Sequence, residues 1–102
     1  MNNVMKRTVG SSGIEVTAVG MGCWAIGGPW NFLGGPAGWG EVDDQESMRA
    51  LQTAMDMGVT LFDTAANYGC GHSERILGRA VAGQRDKVVI ATKFGYLVDE
   101  DS

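Results

Sequence analysis

VTLFDTAANYGCGHSERILGRAVAGQRDKVVIATKFG, residues 59–95, carries a strand, a loop, a helix and a second strand in that order. Val59 to Phe62 is a short apolar and β-branched run closed by Asp63, the pattern of a buried strand. Ser73 is the candidate N-cap of a helix through Ile76, Leu77, Ala80 and Val81, which Gly83 ends. Lys87 to Thr92, containing Val88, Val89, Ile90 and Ala91, reads as a continuous apolar strand covered on both faces. Upstream, Val19 to Gly22 fits an earlier buried strand. Asp43 is positioned to cap a helix, with Glu46 completing a capping box ahead of Met48, Leu51, Ala54 and Met55 at helical spacing, and Gly58 stops it. Met48, Met55 and Met57 read as core filling. Strand, helix, strand, helix, strand predicts a parallel sheet with right-handed crossovers. Lys6 to Val9 and Ile14 to Ala18, separated by Gly10-Ser11-Ser12-Gly13, add a β-hairpin in front.

Composition narrows the function classes. The 102 residues are 44% hydrophobic and 20% charged, the balance of an ordinary globular domain. A net charge of −4 with only eight scattered Lys and Arg excludes a nucleic-acid surface. No apolar run approaches the roughly 20 residues of a membrane helix, and Met1 to Gly10 lacks the apolar stretch of a secretory signal, so the expected compartment is the cytoplasm. Cys23 and Cys70, with His72 alone beside them, form neither a disulfide framework nor a metal-ligand spacing. Glycine stands out at 16 of 102 residues, against a usual share of about 7%. The glycines crowd between Val19 and Gly40 and between Gly69 and Gly78, where backbone turns tightly or something approaches closely. The first crowd includes a long loop, Cys23 to Val42, bearing Trp24, Trp30, Phe32 and Trp39. A loop of that length in a small domain is expected to line a site.

Side chains alternate along strands, so Val59, Leu61 and Asp63 share one face and Val89, Ala91 and Lys93 share one face of the next strand. Asp63 and Lys93 then close neighbouring parallel strands about 4.8 Å apart, within reach of an ion pair. Tyr68, five positions after Asp63, can bring its phenol to the same ammonium. A free phenol, with a pKa of about 10, exchanges its proton poorly at neutral pH, and a nearby cation eases that exchange. In this reading Lys93 supplies the cation, Asp63 holds it, and Tyr68 is a general acid or base. Such a trio suits protonation of a carbonyl oxygen while a hydride reaches its carbon. No side chain donates hydride, so a nicotinamide cofactor is implied.

Phe62 to Glu74, FDTAANYGCGHSE, with Leu77-Gly78 and Ala91-Thr92-Lys93-Phe94-Gly95, closely resembles the aldo-keto reductase family. Ile14 to Trp24 is similar to that family's opening hairpin and first strand, and the Gly- and Trp-rich first loop resembles a bacterial branch related to potassium-channel β-subunits. The resemblance implies a (β/α)8 TIM barrel with its site at the carboxy-terminal strand ends. It implies that residues 1–102 are the amino-terminal part of one barrel domain, a hairpin plus about three strand-helix units. It also implies NADP(H) as cofactor and a small-molecule aldehyde or ketone as substrate. Asp63, Tyr68 and Lys93 match three members of the family's catalytic tetrad. The fourth, a histidine, follows the fourth strand in that family, beyond Ser102, and His72 occupies a variable position rather than replacing it. Gly22, Cys23, Trp24 and Asp63 are implied neighbours of the nicotinamide, with Cys23 departing from the commoner threonine.

Two competing readings remain beside this one. A non-catalytic remnant or binding module of the same fold is the first, since roughly 250 residues normally close such a barrel and open sheet edges favour self-association. The second is a Rossmann fold, because Gly20-Met21-Gly22-Cys23-Trp24-Ala25 nearly follows a dinucleotide fingerprint. It fails on context: Gly27, Gly28, Pro29 and Gly34 to Pro36 prevent the helix that fingerprint needs.

Overall fold

The computed structural model describes residues 5–98. The opening hairpin pairs β1 (Lys6–Thr8) with β2 (Glu15–Thr17) antiparallel. It is tied to the rest of the chain by a reciprocal pair of hydrogen bonds: the Thr17 N–H donates to Thr60 Oγ1 and the Thr60 N–H to Thr17 Oγ1, both at 3.1 Å. Thr60 precedes the second strand of the main sheet, so the hairpin lies at the amino end of that strand.

Next come β3 (Met21–Gly22), a second hairpin of β4 (Trp30–Phe32) and β5 (Gly35–Ala37), and helix α1 (Asp44–Asp56). They are followed by β6 (Leu61–Asp63), helix α2 (His72–Val81) and β7 (Val89–Ala91). The strands β3, β6 and β7 form one parallel sheet in the order β3-β6-β7. This is the parallel strand-helix alternation expected from the apolar periodicity. α1 starts where Asp43 accepts a hydrogen bond from the Gln45 N–H at 2.9 Å. Glu46 pairs with Arg49 instead of reaching back, so the cap is single rather than a capping box. Gly58, at φ 95°, ends the helix.

The core forms where the apolar stripes of both helices meet the sheet. Leu51 of α1, Ile76, Leu77, Ala80 and Val81 of α2, and Phe62 of β6 are buried together with Cys23, Ile26 and Val88. The Gln52 side chain donates to the Ala80 carbonyl at 2.9 Å, locking the helices to each other across an otherwise apolar seam.

Several expectations are corrected. Val19 is exposed and the first strand is only Met21–Gly22, because one neighbour, β6, supplies its ladder. β7 is half-covered rather than buried on both faces: among the described residues it pairs only with β6, and Ala91 is exposed. Met48 and Met55 pack against the core, but Met57 lies past the end of α1 and is exposed. The long loop is not irregular throughout. Leu33 and Gly34 both take positive φ, 52° and 81°, which gives the two-residue turn that joins β4 to β5.

Candidate active site

The register places Gly22, Asp63 and Ala91 level across the carboxy-terminal edge of the sheet. Lys93 lies two residues beyond Ala91, and its chain stays beside the loop after β6 because the Thr64 N–H donates to Ala91 O at 2.8 Å. The Lys93 ammonium donates to both Asp63 carboxylate oxygens, at 3.0 and 3.2 Å, and to the Thr64 carbonyl at 2.8 Å. All three donor hydrogens of the ammonium therefore have an acceptor. Burial works against its charge, but hydrogen bonding to and charge on Asp63, with a contribution from Tyr68, outweigh that and raise the Lys93 pKa above the ordinary lysine value.

Tyr68 opens a tight turn, Tyr68–Gly71, and its ring centroid lies 5.2 Å from Lys93 Nζ. The turn is held by a close backbone approach between the two glycine-rich stretches. A Cβ on Gly69 would stand 2.0 Å from Gly27 O, and one on Gly27 would stand 2.9 Å from Gly69 N. Only glycine permits this contact, which explains part of the unusual glycine content. Trp24 adds an aromatic wall, 6.2 Å from the Tyr68 ring and 5.8 Å from Trp39. The Asp63, Tyr68 and Lys93 side chains thus meet, with Gly22 and Trp24 beside them.

Cys23 behaves differently from its neighbours. Its side chain is 1% exposed, turned into the core beside Ile26 and Phe62, and burial followed by the Asp63 charge pushes its pKa up to about 11. Its N–H donates to Asp63 O and its carbonyl accepts from Ser73. Every polar group of Cys23 is committed to the fold, and its side chain faces the core while Gly22 and Trp24 on either side stay exposed. His72 is likewise outside the trio: its Nε2 is 2.7 Å from Asp44 Oδ1, across the start of both helices. That pair borders a cleft of about 630 Å³, lined also by Gly27, Glu41, Cys70 and Arg75 but by none of the trio.

Ser73 is the residue that sequence reasoning misassigned. α2 begins at His72 after Gly71, which takes a left-handed conformation, and Ser73 is inside the helix. Its hydroxyl, fully buried, donates to Cys23 O at 2.6 Å and lies 2.8 Å from Thr64 Oγ1. An N-cap serine and a buried first-turn serine look alike in sequence, because only the tertiary fold decides what the hydroxyl meets.

The Aldo/keto reductase family model matches residues 18–102. The chain belongs to the aldo/keto reductase family. It is 42% identical to the aldo-keto reductase YhdN of Bacillus subtilis over 88 residues, 84% of this chain and 24% of the relative. It is 38% identical to the NADH-specific methylglyoxal reductase of Escherichia coli over 93 residues, 90% of this chain and 27% of the relative. Among solved structures, aldo-keto reductase AKR11C1 from Bacillus halodurans superposes with a TM-score of 0.79 at 25% identity, over 97% of this chain and 28% of that one. The glycerol dehydrogenase AKR11B4 from Gluconobacter oxydans gives 0.68 at 39% identity, over 88% of this chain and 25% of that one. The chain therefore spans about a quarter of the length of the relatives it matches. Its fold is a partial (β/α)8 TIM barrel: a hairpin, then β3-α1-β6-α2-β7, with the sheet open at β3 and β7 among the described residues. Among the described residues, no helix is long and apolar enough to cross a membrane.

Proposed function

We propose that residues 1–102 form the amino-terminal part of one aldo/keto reductase barrel domain and supply the proton-transfer groups of a cytoplasmic NADP(H)-dependent reductase of aldehydes or ketones. The convergence of Asp63, Tyr68 and Lys93 at the carboxy-terminal edge of the sheet carries this reading. Tyr68 gives its proton to the substrate oxygen. The Lys93 ammonium, beside the ring, stabilises negative charge left on the phenol, and Asp63 keeps Lys93 charged and aimed. The nicotinamide cofactor, when bound, supplies the hydride.

The residues present fit the nicotinamide end of such a cofactor. Gly22 is exposed, with no heavy atom within 4 Å of where a Cβ would stand, leaving its backbone open level with Asp63. Trp24 bounds the same shelf. Support for NADP(H) comes from two Klebsiella pneumoniae aldo-keto reductase structures described as complexes with NADP and NADPH, while the Escherichia coli relative is named as NADH-specific. The test is titration of the purified chain with NADPH and, in parallel, NADH, reading quenching of the Trp24, Trp30 and Trp39 emission. Saturable micromolar binding of NADPH is the expected result, with carbonyl reduction then assayed against Tyr68→Phe as control. A folded chain that binds neither nucleotide sinks the reading for this chain.

A further inference from the structure

Asp63 and Lys93 stand on two separate segments, so something must keep those segments at a fixed spacing. The first turn of α2 reaches both. Ser73 has a single hydroxyl proton, and it goes to Cys23 O at 2.6 Å. In the 2.8 Å contact between Ser73 Oγ and Thr64 Oγ1, Thr64 is therefore the donor. Thr64 is 1% exposed, so neither hydroxyl has water as a substitute partner. The same Thr64 turns its carbonyl to the Lys93 ammonium at 2.8 Å and its N–H to Ala91 O at 2.8 Å. One residue further along α2, the Glu74 carboxylate accepts from Thr92 Oγ1 at 2.7 Å, immediately before Lys93. Backbone from β3, the loop after β6 and the segment after β7 thus converge on two adjacent residues of one helix turn.

We infer that Ser73 and Thr64 are positioning residues for the proton-transfer site: their buried hydroxyl pair fixes the Thr64 carbonyl that, with Asp63, holds the Lys93 ammonium, while Glu74 steadies the same segment through Thr92. The inference deepens the reductase reading and rests on it for its catalytic meaning. The geometry it asserts is readable without cofactor or substrate. Buried hydroxyl-to-carbonyl bonds are directional, whereas the exposed Asp63 to Lys93 pair alone leaves two long side chains free to wander.

The experiment follows the acid-base midpoint of the Lys93 ammonium by NMR in the uniformly labelled 102-residue chain. In the wild type and in Thr64→Ser, which keeps the hydroxyl, Lys93 is expected to titrate above the ordinary lysine value. In Ser73→Ala and Thr64→Val, which loosen the hold on the ammonium, its midpoint falls below that of the wild type. Val81→Ala, which trims the core at the far end of α2, leaves Lys93 where it was and so separates positioning from general loss of stability. An unmoved Lys93 in Ser73→Ala and Thr64→Val overturns the inference, as does an equal shift in Val81→Ala. Should one of the two hydroxyl variants fail to fold, the other carries the test. Because no nucleotide is present, failure here is distinct from failure of NADPH to bind: the first removes the brace, the second removes the reductase reading.

Discussion

The loops that leave β6 and β3 rise from neighbouring strands and flank the same site, yet they are held in opposite ways. After β6, the chain is fastened by directional hydrogen bonds: Thr64 to Ser73, Thr64 to Ala91, and Lys93 to Thr64. After β3, past Gly27, the β4–β5 hairpin is held by ring contacts, Trp30 with Phe32 at 5.7 Å and Phe32 with Tyr96 at 5.2 Å. Its tip residue Leu33 is 89% exposed. Hydrogen bonds fix direction, while apolar contacts fix only proximity. The part of the chain that carries Asp63 and Lys93 is accordingly held in direction, and the β4–β5 hairpin is held by proximity.

The largest test of this contrast is Gly69→Ala, which drives a Cβ to within 2.0 Å of the Gly27 carbonyl oxygen. Backbone must move to accommodate it, and a loss of about 4 kcal/mol or more in urea unfolding is expected. A loss below about 1 kcal/mol would mean the two glycine stretches do not brace each other.

Alkaline unfolding gives the next effect. Cys23 has its pKa raised from 9.0 to about 11, so its contribution to stability is whole below pH 9 and drains away as pH rises toward 11. That rise corresponds to about 3 kcal/mol, and Cys23→Ala should erase that part of the pH dependence. Parallel pH profiles for the two chains would place Cys23 outside the core.

The Asp63 to Lys93 pair is half exposed, and Asp63→Asn should cost under about 1 kcal/mol of stability in the same unfolding assay. A larger loss would show that the pair helps hold the fold.

The smallest effect has the opposite sign. Leu33 spends its positive φ of 52° on an exposed turn, so Leu33→Gly should raise the thermal midpoint, by about 1 kcal/mol in stability. A decrease would show that the leucine side chain is engaged.

What the sequence disclosed follows the same division. Asp63 and Lys93 were legible because strand alternation and parallel pairing are local rules, and the two residues fall at the ends of short apolar runs. Tyr68 followed from its distance along the loop. The β4–β5 hairpin was hidden because Leu33 occupies a turn position where glycine or asparagine ordinarily signals one, leaving Gly34 as the sole cue. Ser73 was read as a cap, since its partners Cys23 and Thr64 lie 50 and 9 residues away and only the folded chain brings them together. The direction of the Cys23 side chain was hidden for a related reason: its neighbours Gly22 and Trp24 are exposed, but one step of the backbone sends the intervening side chain into the core.

The stem of the second hairpin closes on itself. A Cβ on Gly38 would stand 2.5 Å from the Gly28 carbonyl oxygen, so the chain departs from and returns to nearly the same point. Apart from the buried Trp30, the span between Gly28 and Gly38 can therefore change in length or chemistry without altering where β3 ends or where α1 begins. For anyone redesigning this scaffold, that excursion is a cassette: its contents can change while Asp63, Tyr68 and Lys93 stay where they are.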